Sequence, residues 1–135
     1  MVRARRLAAF ALAFALAVFV LVTHGAAQGG FAREVVASGL DWPVSLAFLS
    51  QTAHGYPAGA IFYSERFTGD IRVLIGGQPR PLPVGNVPVE TNGEQGLLGI
   101  ALDPDFLSSP WIYAYHTHFN GTLGRDVNRV VRFWL

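Results

Sequence analysis

The sequence predicts an all-β protein of the β-propeller class, about two four-stranded blades preceded by a hydrophobic N-terminal signal helix. Three observations carry this. No segment beyond residue 28 keeps a helical period over ten residues. Short β-branched and aromatic runs alternate with glycine- and proline-rich turns. The order of those runs recurs at an offset of roughly 50 to 60 residues, near the longest propeller periods. Each round reads apolar strand, loop, aromatic strand, glycine turn, Arg/Val strand, which is one four-stranded blade. A β-sandwich is the competing architecture, since it shares short strands at such spacing, but it does not call for the same order of strand characters twice.

The N-terminus stands apart. Arg3, Arg5 and Arg6 precede an unbroken apolar run over residues 7–22, and small residues Gly25 and Ala27 follow. A basic start, an apolar middle and a small-residue end describe a secretory signal over residues 1–27, cleaved before Gln28. The run is short of the roughly 20 residues that span hydrocarbon comfortably. An uncleaved N-terminal anchor through residues 7–22 is the other reading. Both place residues 28–135 outside the cytoplasm, periplasmic or secreted.

The first round begins with an expected strand over residues 31–38 and a turn at Gly39-Leu40-Asp41-Trp42-Pro43. A short apolar strand over 44–49 and a polar loop over 50–59 come next. Ile61-Phe62-Tyr63 centres an aromatic strand over 60–66. Thr68-Gly69-Asp70 turns the chain into a half-exposed strand over 71–75. Residues 80–84 are expected as an edge strand, because Pro81 and Pro83 cannot donate to a central ladder.

The second round repeats these characters. Residues 96–102 match 44–49, 111–117 match 60–66, and 128–135 match 71–75. Residues 119–127 read as a glycine- and asparagine-rich turn. Propellers close with roughly four to eight blades. Two blades leave open edges, so the chain reads as the N-terminal part of a longer propeller.

Composition narrows function. There is no cysteine, which excludes disulfides and thiolate metal sites. A net charge of +1 supplies no field for nucleic acid. No nucleophile elbow, phosphate loop or dinucleotide fingerprint is present.

The densest stretch is Asn92-Gly93-Glu94-Gln95-Gly96-Leu97-Leu98-Gly99-Ile100-Ala101-Leu102-Asp103-Pro104-Asp105-Phe106. An apolar run over 96–102 reads as a buried strand, ended by Asp103-Pro104-Asp105 as a turn. Glu94 and Gln95 sit at its mouth, on a rigid platform with access to solvent.

This stretch resembles the Gly-x-x-Gly-Leu-Leu-Gly-(Ile/Leu)-Ala-x-x-Pro-Asp-Phe segment of the glucose/sorbosone dehydrogenase family, which includes the soluble aldose sugar dehydrogenases dependent on pyrroloquinoline quinone (PQQ). Val36 to Pro43, Ser64 to Val73, Arg80 to Val84 and Asn128 to Phe133 resemble further family elements in the same order. The resemblance implies a six-bladed propeller that binds PQQ and calcium and oxidises aldose sugars or related alcohols, passing electrons to an acceptor. It places a substrate-contacting glutamine of the family at Glu94, with Gln95 one place later. The two are the candidate substrate-binding residues. The resemblance puts the family's catalytic, quinone and calcium residues in later blades, so none is assigned to this chain, and the chain alone is expected to be inactive. A non-catalytic binding propeller of the same fold is the alternative.

Other pairs have plainer readings. His116 and His118 at i and i+2 fit a strand end, since zinc needs a third ligand. Glu65-Arg66 reads as a buried or cross-strand ion pair. Trp42, Trp111 and Trp134 suit packing between sheets.

Overall fold

A computed structural model describes residues 31–135. The expected signal or anchor lies outside the described residues. The unit Val35–Leu135 carries every strand among the described residues. Among the described residues there is no helix, so the all-β expectation holds.

Two antiparallel sheets follow one another along the chain. The first runs β1 (Pro43–Phe48), β2 (Ile61–Glu65), β3 (Asp70–Ile75) and β4 (Gln78–Pro79), with β5 (Gly85–Asn86) on the far end of β3. The second runs β6 (Leu97–Leu102), β7 (Trp111–Asn120) and β8 (Arg125–Trp134). Neighbours in sequence are neighbours in space, as tight turns dictate. Thr68, Gly69 and the Gly76-Gly77 pair make the β2–β3 and β3–β4 turns. Gly69, Gly76 and Gly77 all have positive φ.

The core lies between the sheets. From the first come Phe62, Ile71 and Val73; from the second, Leu97, Ile112 and Ala114; Ala60 and Phe106 join them from the adjoining loops. Strand alternation explains the selection. On β7, Ile112, Ala114 and His116 are fully buried while Tyr115 between them is exposed. The sheets also meet along β1 and β6, where the Ile100 amide donates to Ser45 Oγ at 3.1 Å.

Four expectations need correction. Residues 31–38 form no strand; Phe31, Val35 and Val36 are exposed, and among the described residues no strand pairs with them. Residues 80–84 are not one edge strand but a loop between β4 and β5. Pro81 and Pro83 remove donors, and only the Arg80 and Val84 amides reach β3, at Val73 O and Ile71 O (2.8 Å each). The expected turn over 119–127 shrinks to four residues, because β7 and β8 pair out to Asn120 and Arg125. Asn120 closes it: its carbonyl accepts from the Leu123 and Gly124 amides, and its Oδ1 from Thr122 N and Leu123 N. Finally, the second sheet holds three strands among the described residues, not four.

The turn at 103–105 is as expected. The Asp105 amide donates to Asp103 Oδ1 at 3.0 Å, and Tyr113 OH donates to Asp103 Oδ2 at 2.9 Å.

Candidate functional site

The entrance to β6 is a tight turn. The Gln95 amide donates to Asn92 O at 3.1 Å, and Gly93 sits at φ 58° between them. A positive φ at the first central position is the type II′ pattern that glycine allows. Glu94 therefore occupies a turn apex, not a strand. Its side chain is fully exposed, at 101%. Gln95 turns inward and bridges: its Nε2 donates to Asp126 Oδ2 at 2.9 Å, and its Oε1 accepts from Asn92 N at 3.2 Å. The structure thus separates the two candidates. Glu94 faces solvent, and Gln95 braces the turn against β8.

Arg66 was not legible as part of this corner. The Glu65-Arg66 ion pair expected from sequence does not exist, because neighbouring residues point opposite ways. Glu65 lies 3.5 Å from Arg72, while Arg66 lies 3.5 Å from Glu94. Arg66 Nε donates to Gln95 O at 3.0 Å, and Nη2 donates to Gly93 O. Its guanidinium also lies over the Phe67 ring, 4.8 Å from the centroid, and Phe67 meets Trp42 edge-on at 5.1 Å. Arg66 O accepts the Leu97 amide at 2.9 Å. One residue of the first sheet thus grips the loop that opens the second.

We expect Arg66→Gln to lower stability by about 1.5–3 kcal/mol, the worth of hydrogen bonds to a charged donor. The ion pair to Glu94 adds little, because that carboxylate is in water. Chemical denaturation gives the first quantity. Hydrogen exchange gives the second: amides over 93–97 should lose protection in the variant. Unchanged exchange there would mean that Arg66 does not hold the loop.

Glu94, Gln95, Leu98, Thr117, Asp126 and Asn128 line a groove of about 280 Å³. Thr117 Oγ1 donates to Asn128 Oδ1 at 2.9 Å. The groove therefore presents oxygen acceptors, two of them carboxylates. A larger cleft of about 420 Å³ lies at the other end of β1 and β6. Its carboxylates are those of Asp103 and Asp105. Asp103 is committed to the turn.

His116, one residue from the groove, is fully buried. Its Nδ1 lies 3.0 Å from Pro88 O, and Arg129 Nε donates to its Nε2 at 3.1 Å. A carbonyl can only accept, so Nδ1 carries the proton and Nε2 is bare; the imidazole is neutral. Burial first, and then the Arg129 charge, push its pKa below the ordinary 6.5. Its partner at i+2, His118, has its ring 6.2 Å away. No group of three metal-ligating side chains exists among the described residues.

The sign of the resulting pH dependence is fixed. With the folded pKa lowered, the unfolded chain binds more protons below 6.5. Stability is whole above that value and falls as pH drops through the folded pKa. Glu65 works the other way: burial raises its pKa above 4.5, so its share is lost as pH rises above that point. We expect the wild type to lose more stability than the His116→Gln variant between neutral pH and about pH 5, read as the difference between their denaturation midpoints. An equal slope in the variant would assign the pH dependence elsewhere.

Comparison with known proteins now identifies the class. The family model described as glucose/sorbosone dehydrogenase matches residues 40–135, and the chain belongs to that family. Among solved structures it is similar to the PQQ-bound aldose sugar dehydrogenase of Streptomyces coelicolor, at 38% identity and a TM-score of 0.59 over 73% of this chain and 26% of that one. It is also similar to a glucose dehydrogenase-type oxidoreductase of Thermus thermophilus, at 38% identity and a TM-score of 0.57 over 73% and 26%. The soluble aldose sugar dehydrogenase of Escherichia coli, in its apo form, matches at 28% identity and a TM-score of 0.61 over 76% and 27%. The chain spans about a quarter of the length of these structures. A comparison with curated proteins gives no match.

The groove fits neither group that the family implies. PQQ carries three carboxylates and asks for cations. The groove instead presents Glu94 and Asp126, and its neighbouring cation, Arg66, is engaged by two carbonyls. Calcium asks for six to eight oxygen ligands, and the groove offers only the two carboxylates Glu94 and Asp126, with no group of three Asp, Glu or His side chains placed to hold a metal among the described residues.

Proposed function

We propose that this chain is part of an exported PQQ-dependent oxidoreductase that acts on CH–OH groups of aldose sugars or related alcohols. Its two sheets are the first two blades of a six-bladed propeller. One observation carries the reading: 38% identity, over nearly three quarters of the chain, to an aldose sugar dehydrogenase solved with PQQ bound. The open sheet faces agree with it. Val44, Leu46 and Phe48 on β1 and Val130 and Trp134 on β8 are exposed, and further blades would cover such apolar surface.

In this reading the present residues form one wall of the substrate cleft, and the quinone supplies the electron sink. Glu94 stands where the family resemblance puts a substrate contact. A carboxylate accepts but does not donate, so it suits a sugar hydroxyl as donor. Asp126, held by Gln95, adds a second acceptor nearby. Quinone and calcium sites fall to residues beyond the described ones, and the chain alone turns over no sugar. Residues 1–27 direct export as a signal or remain as an anchor.

The test is reconstitution of the full-length protein with PQQ and calcium, followed by dye reduction across a panel of aldoses and alcohols. Reduction with at least one aldose is expected. Binding of PQQ without reduction of dye by any substrate would favour a non-catalytic binding propeller instead.

A further inference from the structure

The chain contains two Asn-Gly pairs, Asn92-Gly93 and Asn120-Gly121, and the fold treats them differently. Both lie in tight turns. Asn120 is half-buried, and its Oδ1 accepts from two backbone amides, Thr122 N at 3.0 Å and Leu123 N at 3.1 Å. Asn92 is exposed, and among the described residues its side-chain amide has no hydrogen-bond partner. Its own backbone is engaged only through its N–H and C=O, by Gln95.

We infer that Asn92 is a site of spontaneous deamidation, and that the fold protects Asn120 from the same reaction. The Gly93 nitrogen attacks the Asn92 side-chain carbonyl carbon. A C–N bond forms, the side-chain nitrogen leaves as ammonia with the proton lost from Gly93 N, and a five-membered succinimide closes. Glycine is the favourable follower because no Cβ hinders its nitrogen. Water then opens either carbonyl, giving aspartate or isoaspartate. No electrons are transferred. The ring demands that the Asn92 side chain swing onto the backbone. At position 92 nothing holds it away; at position 120 two hydrogen bonds do.

The consequence falls on the candidate site. Either product places a new carboxylate two residues from Glu94. Isoaspartate also inserts a methylene into the main chain, which displaces the Gly93 carbonyl from Arg66 and breaks the Gln95 N to Asn92 O turn bond. Chain age is thus written into this loop as charge and backbone length, whatever substrate the protein takes.

The test is peptide mapping by mass spectrometry of the full chain, aged in mildly alkaline buffer, with a second aliquot aged in guanidinium. Circular dichroism confirms the β signature of the first. In buffer the Asn92 peptide should gain its single mass unit severalfold faster than the Asn120 peptide. In guanidinium the two rates should converge. A Thr122→Pro variant, which deletes one of the amides held by Asn120, should speed position 120 in buffer. Equal native rates, a faster Asn120, or a ratio unchanged by guanidinium would each overturn the inference.

Discussion

Phe62→Ala should lower the free energy of unfolding by about 3–5 kcal/mol, the range for deleting a fully buried aromatic ring. Phe62 has no exposed surface. It sits on β2, opposite Ala47 on β1 and Val73 on β3. Its ring meets Tyr56 at 5.3 Å and Phe106 edge-on at 5.9 Å. Phe106 comes from the loop after β6, so this contact ties the two sheets together, and His54 Nε2, 2.9 Å from Phe106 O, fastens that loop. The loss is large because small neighbours such as Ala47, Ala60 and Ala114 cannot expand into the hole. Phe62→Leu should cost clearly less. Urea denaturation measures both; a loss under about 1 kcal/mol for the alanine variant would mean that the site collapses or that the ring is not central.

Gly96→Ala should cost about 2–6 kcal/mol, and it should damage the candidate site as well as the fold. Gly96 has a φ of 139°, a region that side chains avoid. A Cβ there would lie 2.5 Å from Arg66 O and 2.7 Å from Arg66 Cγ. The first is backbone and cannot step aside. Strained backbone of this kind is worth about 1–3 kcal/mol, and overpacking adds about 1–3 more. Gly96 O also accepts the Thr117 amide at 3.0 Å, so displacement spreads to β7. Gly93→Ala is the control. Its φ of 58° is unfavourable too, but a Cβ would meet nothing within 4 Å. It should cost only about 1–2 kcal/mol, the usual left-handed penalty. Equal losses at 93 and 96 would show that φ alone matters and that the close approach of Arg66 does not.

The same corner shows where reading residues in order stops. Strand positions were legible wherever side-chain character decides them. Ile61-Phe62-Tyr63 and Ile112-Tyr113-Ala114 are strands because aromatic and β-branched residues pack well on a pleated, buried surface. The edges were harder. Pro81 and Pro83 signalled an edge but not that the strand would break in two. Phe31, Val35 and Val36 have strand character but no partner, and a lone run of such residues gains nothing by being extended. The long β7–β8 hairpin runs past its apolar part because Asn120 and Gly124 satisfy a four-residue turn, so backbone pairing continues through polar residues.

Residue order alone already gave away the all-β class, the order of the strands, the two-sheet repeat and the family segment over residues 92–106. These are local properties: period, turn chemistry and the run of residue types. It took the packed sheets to pair Arg66 with Glu94 and not with its neighbour Glu65. The same packing sets Gln95 against Asp126 and holds His116 neutral between Pro88 and Arg129. The pairings of Arg66, Gln95 and His116 join residues 13 or more apart in the chain. Such partners meet only when the sheets pack, and neither period nor spacing encodes which side chain then stands opposite which.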